Sequence, residues 1–454
     1  MMPGEKTMGA EAFLAAHPET RFVDALTFDL AGNALGKRYA ASELPKLMAK
    51  GLQFCSGTLL LDVAGVTHDV AGMGFADGDP DWPAVAIPGT LAPVPWGGGN
   101  TAQFLFRMLH PTESAGWWCD PRVILERVVA RLDELRFRAV IACELEFYLI
   151  DAARDADGRL SMPALPGGGP VPDAPRVFGM DKLEEFADFI GEIDGACRAQ
   201  GLPVGAASSE YGRGQYEVNL EHVDDPVAAC DQALLLRRAV GGIARARGMD
   251  ATFMSKPYTE QAGNGLHIHL SLVDEEGHNV FDERREGGAS RLRHAIGGMR
   301  ATMYESMAIF APNVNAYRRF AANNFLPVNR SWAENNRSVA FRIPSSSPGA
   351  RRIEHRVAGA EANPYLVAAA VLAGAHHGLS EAIDPGPPAV GNAGERVDPE
   401  MPLKLWTALE RMRAGEILPG YLGADYVRAY ADLKEAEFEA FFSEILTREY
   451  DWYL

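Results

Sequence analysis

The chain lacks most of the features that reveal a function at a glance. Its five cysteines (Cys55, Cys119, Cys143, Cys197, Cys230) are odd in number and none stands in a CxxC pair. That excludes a disulfide framework and a thiolate zinc site, and it points to the reducing cytoplasm. Positive charge is scarce: 43 Lys and Arg face 61 Asp and Glu in 454 residues, a formal net charge of −18. Nucleic acid is therefore not expected as a partner, because its binding comes mainly from cations neutralising phosphates. The excess of acid favours small cationic ligands instead. Long apolar runs are also missing. The longest, Tyr365 to Ala375, is about half a membrane span, so no membrane partner is expected. Met1 to Ala10 carries Glu5 and Lys6 without an apolar stretch, so no signal peptide is expected. Familiar phosphate loops are absent too. Gly32 to Arg38 (GNALGKR) has three residues between its glycines instead of four, and Arg where Ser or Thr would hold Mg²⁺. Gly72 to Gly78 misses the dinucleotide spacing by one residue.

The length allows roughly two or three domains. Residues 20–110 read as short strands and turns: a strand over Phe22 to Leu30, a turn at Gly32-Asn33, a return over Leu35 to Ala40, and a short helix over Ser42 to Lys50. Beyond Asp120 the period changes. Asp120-Pro121, Asp225-Pro226 and Asn363-Pro364 each place an N-cap before a proline at the first helical position. A further helix is predicted from Asp181 to about Gln200, with Leu183, Phe186, Ile190, Ile193 and Cys197 on one face and Gly201 as its stop. Residues 151–180, rich in Gly and Pro, read as a loop. The pattern is a small, mostly β N-terminal domain followed by a large α/β domain.

Four segments carry chemistry. Val140 to Ile150 (VIACELEFYLI) is a strand by composition, yet Glu144 and Glu146 share a face. Two such carboxylates repel and are costly to desolvate, so either a cation compensates them or the face is solvated. Gly265 to Leu272 (GLHIHLSL) puts His267, His269 and Ser271 on one face, either as ligands or as satisfied structural residues. In Ser208 to Leu220 (SSEYGRGQYEVNL), Glu217 and Asn219 share a face and Glu210 precedes a turn; an ordinary hairpin with exposed acids also fits. Arg351 to Val357 (RRIEHRV) sets Arg352 and Arg356 around Glu354, with Arg337 and Arg342 upstream. Surface ion pairs would explain these arginines, and so would recognition of a polyphosphate. Together, five carboxylates and one imidazole form a mostly hard-oxygen ligand set suited to Mg²⁺ or Mn²⁺ rather than Zn²⁺.

Taken in order, these four segments resemble the glutamine synthetase superfamily over nearly the whole chain, from the hairpin near Phe22 to the closing TREYDWYL. The resemblance implies an α+β fold. A β-grasp domain (1–112) would precede a catalytic domain (113–454) with a curved, mainly antiparallel sheet. It also implies ATP, two Mg²⁺ or Mn²⁺ per site, and a homododecamer of two stacked hexamers with active sites shared between subunits. Carried over residue by residue, one metal site would be Glu146, Glu210 and Glu217, the other Glu144, His267 and Glu354. His269, Ser271, Arg337, Arg342 and Arg352 would hold ATP. Arg319, Arg356, Glu146, Gly263 and Gly265 would hold L-glutamate. Arg337, Glu217 and Phe325 match positions tied to the chemical steps. The implied reaction phosphorylates the glutamate γ-carboxylate and lets an amine displace the phosphate.

The departures from the family pattern bear on the amine. Ammonia-using members carry an acid on a loop where this chain has Phe325. They also carry an aspartate near Phe54 to Val63, where this chain reads FCSGTLLLDV and offers only Asp62. Ala262 stands in the glutamate loop (QAGNGLH) in place of asparagine, and residues 390–400 contain no tyrosine for adenylylation. Gly78 to Trp96 and the closing EYDWYL are most similar to the branch that glutamylates amines, which includes the γ-glutamylputrescine and γ-glutamylpolyamine synthetases. The expected function is thus ATP-dependent joining of glutamate to an organic amine in nitrogen metabolism, polyamine catabolism included. A glutamine synthetase with a rearranged ammonium site and a non-catalytic homologue used for structure or nitrogen sensing are the alternatives.

Overall fold

The computed structural model describes residues 9–113, 115–166, 176–322 and 325–454. Among them the strands form two sheets. The first contains β1 (Phe22–Phe28), β2 (Ala34–Ala40), β3 (Leu52–Cys55), β4 (Asp81–Ala86), β5 (Ala92–Pro93) and β6 (Thr101–Met108), in the order β2-β1-β6-β4-β3 with β5 on β6. Its central pair, β1 and β6, is parallel, while β1 and β2 form the expected hairpin. Asp29 closes that hairpin by accepting from the backbone N–H groups of Ala31 (2.9 Å) and Asn33 (2.8 Å).

The second sheet contains β7 (Arg138–Asp151), β8 (Val204–Ser209), β9 (Gln215–Leu220), β10 (Met249–Thr252), β11 (Leu266–Val273), β12 (Trp332–Glu334), β13 (Phe341–Ile343) and β14 (Ile353–His355). Their order is β12-β13-β14-β11-β7-β9-β8, with β10 on β7, and only the β12–β13 pair is parallel. This is the mixed α+β architecture, with a mainly antiparallel sheet, that the sequence predicts. On β7 the residues Ile141, Cys143, Leu145, Phe147 and Leu149 are buried in the core. Full burial of a large apolar side chain contributes about 1.5–3 kcal/mol, so this face sets the strand's register. Glu144 and Glu146 consequently point to the opposite face.

The three predicted caps form: Asp120 accepts from Arg122 N, Asp225 from Val227 N and Ala228 N, and Asn363 from Tyr365 N. They start the helices Pro121–Arg131, Pro226–Ala246 and Pro364–Ser380. The predicted helix from Asp181 to Gln200 is instead two, Met180–Glu184 and Ala187–Ala199. At the break Phe186 leaves helical geometry (φ −126°, ψ 35°) and sets its buried ring edge-on to Tyr216. Core packing outweighs helical continuity there. The arginine-rich strand is also shorter than its pattern, because β14 spans only Ile353–His355 and leaves Arg352 and Arg356 at its two ends. Of the predicted loop 151–180, residues 167–175 lie outside the described residues.

The N-terminal sheet is tied to the rest by polar contacts. Arg238 donates to Gln103 (2.9 Å) and Asp24 (3.0 Å), and Asn363 donates to the Asp29 carbonyl (2.8 Å). Among the described residues no helix is long and apolar enough to cross a membrane. The helix Gly288–Phe310 crosses Pro364–Ser380 through glycines. A Cβ on Gly378 would lie 2.0 Å from the His294 carbonyl, and one on Gly298 would lie 2.0 Å from the Gly374 carbonyl. Gly378→Ala is therefore expected to destabilise the fold by about 1–3 kcal/mol, read from urea denaturation. An unchanged midpoint would contradict this backbone contact.

Candidate active site

Pairing across the second sheet assembles a charged patch from segments distant in sequence. Glu144 lies opposite His267 on β11 and Asn219 on β9; Glu146 lies opposite Glu217; His269 lies opposite Glu354 on β14; and Glu354 lies opposite Arg342 on β13. Side chains paired this way share one face, so alternation on five strands converges on one place. Glu210 follows β8, with its backbone N–H on the Gln215 carbonyl (2.9 Å).

One half of the patch is internally neutralised. Glu144 accepts from His269 Nε2 (2.7 Å) and His267 Nδ1 (3.2 Å). Arg352 Nε donates to His269 Nδ1 (3.2 Å), which leaves the Nε2–H to face Glu144. Glu354, 1% exposed, accepts from Arg342 (2.8 Å) and from Arg356. Burial alone would raise these two carboxyls. The histidine hydrogen bonds instead hold Glu144 well below the usual range, and Arg356 with the two histidines holds Glu354 at about 2. Burial, reinforced by Arg356, lowers His267.

The other half has too few cations. Burial, and then the neighbouring Glu210, pushes Glu146 up to about 7 against the Gly265 N–H that donates to it at 2.7 Å. Burial together with Glu144, Glu146 and Glu210 pushes Glu217 up to about 9. Glu210 is also raised by burial, opposed by the Ser208 hydroxyl and the exposed Arg337. Buried carboxylates that raise one another's pKa are a donor set short of positive charge, and an oxygen-liganded divalent cation fits it. Within this patch two triplets offer ligand atoms within 4.8 Å of one another: Glu144, Glu217 and His267, and Glu144, His269 and Glu354. Glu144 belongs to both. The geometry therefore makes one continuous cluster and gives His269, read from sequence as an ATP residue, a carboxylate partner.

The remaining expected residues surround this patch. Arg319 is buried and donates to the carbonyls of Val357 (3.4 Å) and Ala358 (3.2 Å). It threads between Gly263 and Gly359, where a Cβ would come within 2.7 Å and 2.9 Å of its side chain. Burial lowers its pKa to about 10, opposed by the negative charges of Glu146 and Glu361. Ser271 donates to the Arg351 carbonyl (3.1 Å). The buried Nε atoms of Arg342 and Arg356 have no partner among the described residues, so both keep a donor for an anionic ligand. Phe325 is 55% exposed, with its ring 5.8 Å from that of Tyr211. Asp62 is engaged in a local turn: it accepts from Ala64 N (2.9 Å), Val66 N (2.8 Å) and His68 Nε2 (2.8 Å).

Sequence reading missed three neighbours. Gln215 donates to Glu146 (3.5 Å), to the Gly263 carbonyl and to Asn264 Oδ1 (both 3.0 Å). It shares the period-two face of Glu217 and Asn219, a signal that could have found it. Asn264, buried, donates to the carbonyl of Met254 (2.9 Å) and so fixes the QAGNGLH loop. His222 sets its ring 6.1 Å from His269, and nothing in its own segment announces that.

A sequence model of the glutamine synthetase catalytic domain matches residues 118–453. The chain belongs to the glutamine synthetase family. It is 38% identical to γ-glutamylputrescine synthetase PuuA of Escherichia coli (strain K12) over 448 residues, 99% of this chain and 94% of that protein. It is 33% identical to the glutamate–isopropylamine ligase of a Pseudomonas sp over 416 residues, 89% of each. The solved GmaS/ADP complex, conformation 1, has a TM-score of 0.84 at 27% identity and 99% coverage of both chains. The expected family and fold both hold. The two named relatives join a glutamyl group to an amine, as their names state, and ATP and divalent metals belong to the chemistry of glutamine synthetase-type enzymes.

The raised carboxyls set a pH dependence. The folded-state values for Glu146 and Glu217 lie above those of an unfolded chain, about 4.3, so the folded protein holds more protons and loses stability as pH rises from about 5 to 9. A divalent cation competes with those protons. Added Mg²⁺ or Mn²⁺ is expected to raise Tm more at about pH 8.5 than at about pH 6, and an equal shift at both would contradict the assignment.

Proposed function

We propose that the protein is an ATP-dependent glutamate–amine ligase that joins the γ-carboxylate of L-glutamate to a primary organic amine. The observation that carries this reading is the absence of an available carboxylate for ammonium at the two positions where the family pattern places one. Asp62 spends its oxygens on its own turn, and Phe325 presents an aromatic ring. Ammonium has no apolar surface to gain from a ring, whereas an alkylamine does.

On this reading Glu146, Glu210 and Glu217, and Glu144, His267 and Glu354, would hold two Mg²⁺ or Mn²⁺. The bound cations would neutralise the phosphates and the cluster's own charge. His269, Ser271, Arg337, Arg342 and Arg352 would hold ATP, with the arginine forks matched to phosphate oxygens. Arg319, Arg356, Gly263 and Gly265 would orient glutamate, with Glu146 beside it. A γ-carboxylate oxygen attacks the γ-phosphorus and ADP leaves. The amine lone pair then attacks the acyl carbon, the carbon–oxygen bond to phosphate breaks, and the nitrogen gives up a proton. The protein supplies charge stabilisation and alignment, and none of its side chains forms a covalent bond. We place the boundary between the two domains at 112/113. The assembly would be a cytoplasmic dodecamer of two stacked hexamers, a reading supported by the exposure of Tyr211 and Phe325 in the single chain.

Phosphate release with ATP, Mg²⁺, glutamate and a panel of amines checks the reading. Turnover with one or more organic amines is expected to exceed turnover with ammonia. Phe325→Glu should shift that ratio toward ammonia by about tenfold, the order expected for placing one charge-assisted contact on ammonium. Wild-type turnover with ammonia alone would sink the proposal.

A further inference from the structure

Tyr211 is an anomaly that the assigned chemistry does not use. Its ring is 50% exposed, although it directly follows Glu210, whose carboxyl is largely buried beside Glu144, Glu146 and Glu217. Its backbone is nevertheless held firmly. Glu210 N donates to the Gln215 carbonyl (2.9 Å), Gly212 N to Gln215 Oε1 (2.8 Å) and Arg213 N to Gln261 Oε1 (2.7 Å). A Cβ on Gly212 would stand 1.7 Å from the Tyr148 hydroxyl, and Tyr148 itself donates to the Ala262 carbonyl (2.8 Å). The turn is thus pressed against the floor of the site while the aromatic ring is left in solvent. Across from it, at 5.8 Å and tilted by 36°, stands the equally exposed ring of Phe325.

Two half-exposed rings on separate segments, one of them next in the chain to the largely buried Glu210, cost apolar exposure that a closed core would have avoided. The fixed backbone presents the Tyr211 side chain at a set place beside Phe325, so only its own rotation remains to be ordered when a ligand arrives. An aromatic face attracts an ammonium group and packs against an alkyl stem. The net charge of −18 draws the same cations toward the site. We infer that Tyr211, paired with Phe325, is a specificity-determining residue whose ring face receives both the charged group and the alkyl stem of a primary alkylammonium substrate, the stem being a contact that ammonia cannot make. This inference rests on the glutamate–amine ligase reading.

The test is steady-state kinetics of the full-length protein with the best amine of a panel comprising putrescine, isopropylamine, ethanolamine, methylamine and ammonium. Tyr211→Leu is expected to raise KM for the organic amine about tenfold, the loss expected for one partly desolvated cation–ring contact. KM for ATP and for glutamate should stay within about twofold, and Tyr211→Phe should restore the amine KM. A structural role would move all three constants together. An unchanged amine KM in Tyr211→Leu, or parallel changes for ATP and glutamate, overturns the inference while leaving the ligase reading intact. A wild-type enzyme that uses no organic amine overturns the ligase reading instead. If Tyr211→Leu does not fold, Phe325→Leu removes the facing ring: an amine-specific KM increase supports the pairing, and its absence refutes it.

Discussion

The structure depends on the register of one strand. β7 buries Cys143, Leu145, Phe147 and Leu149 on one side and turns Glu144 and Glu146 to the other. A slip of one residue would drive two carboxylates into the core and expose four apolar side chains. Hydrophobic burial on one face thus aims charge on the other. The partners β9, β11 and β14 inherit the same register, so the cluster of carboxylates and histidines follows from the choice made by β7.

That cluster divides its charge unevenly. Around Glu354 and Glu144 the protein supplies its own cations and hydrogen-bond donors, and both carboxyls stay ionised. Around Glu146, Glu210 and Glu217 the supply is short, and burial pushes protons onto the carboxyls. A folded protein gains nothing from three crowded acids. Their arrangement makes sense as a site held ready for external positive charge, at the expense of stability in its absence. Arg342 and Arg356, each with an Nε–H unspent, extend the same logic to an incoming anion. On the proposed reading, glutamate, nucleotide and cation would complement one another in such a place, and the facing rings of Tyr211 and Phe325 would suit a partner that carries both charge and hydrocarbon.

Much of this was legible locally. The alternation in VIACELEFYLI and GLHIHLSL specified both the strands and the faces on which Glu144, Glu146, His267 and His269 emerge, because a period of two is a property of the backbone alone. The Asp-Pro and Asn-Pro caps announced their helices for an equally local reason. Where packing intervened, local reading failed. Phe186 breaks a helix whose periodicity runs straight through it, since its ring finds Tyr216. Arg352 and Arg356 fall outside the short strand that their alternation suggested.

The sequence by itself determined the family, the strands that bear charge and the inventory of acids, histidines and arginines, since each is written in residue type and short-range spacing. Only the tertiary structure decided which of them meet. Glu144 pairs with His269 as well as His267, Gln215 joins Glu146 to the loop at Gly263, Asp62 turns inward on its own loop, and Tyr211 faces Phe325. Those contacts join residues up to 125 positions apart. Strand order and the closing of loops create them, and no local period encodes either.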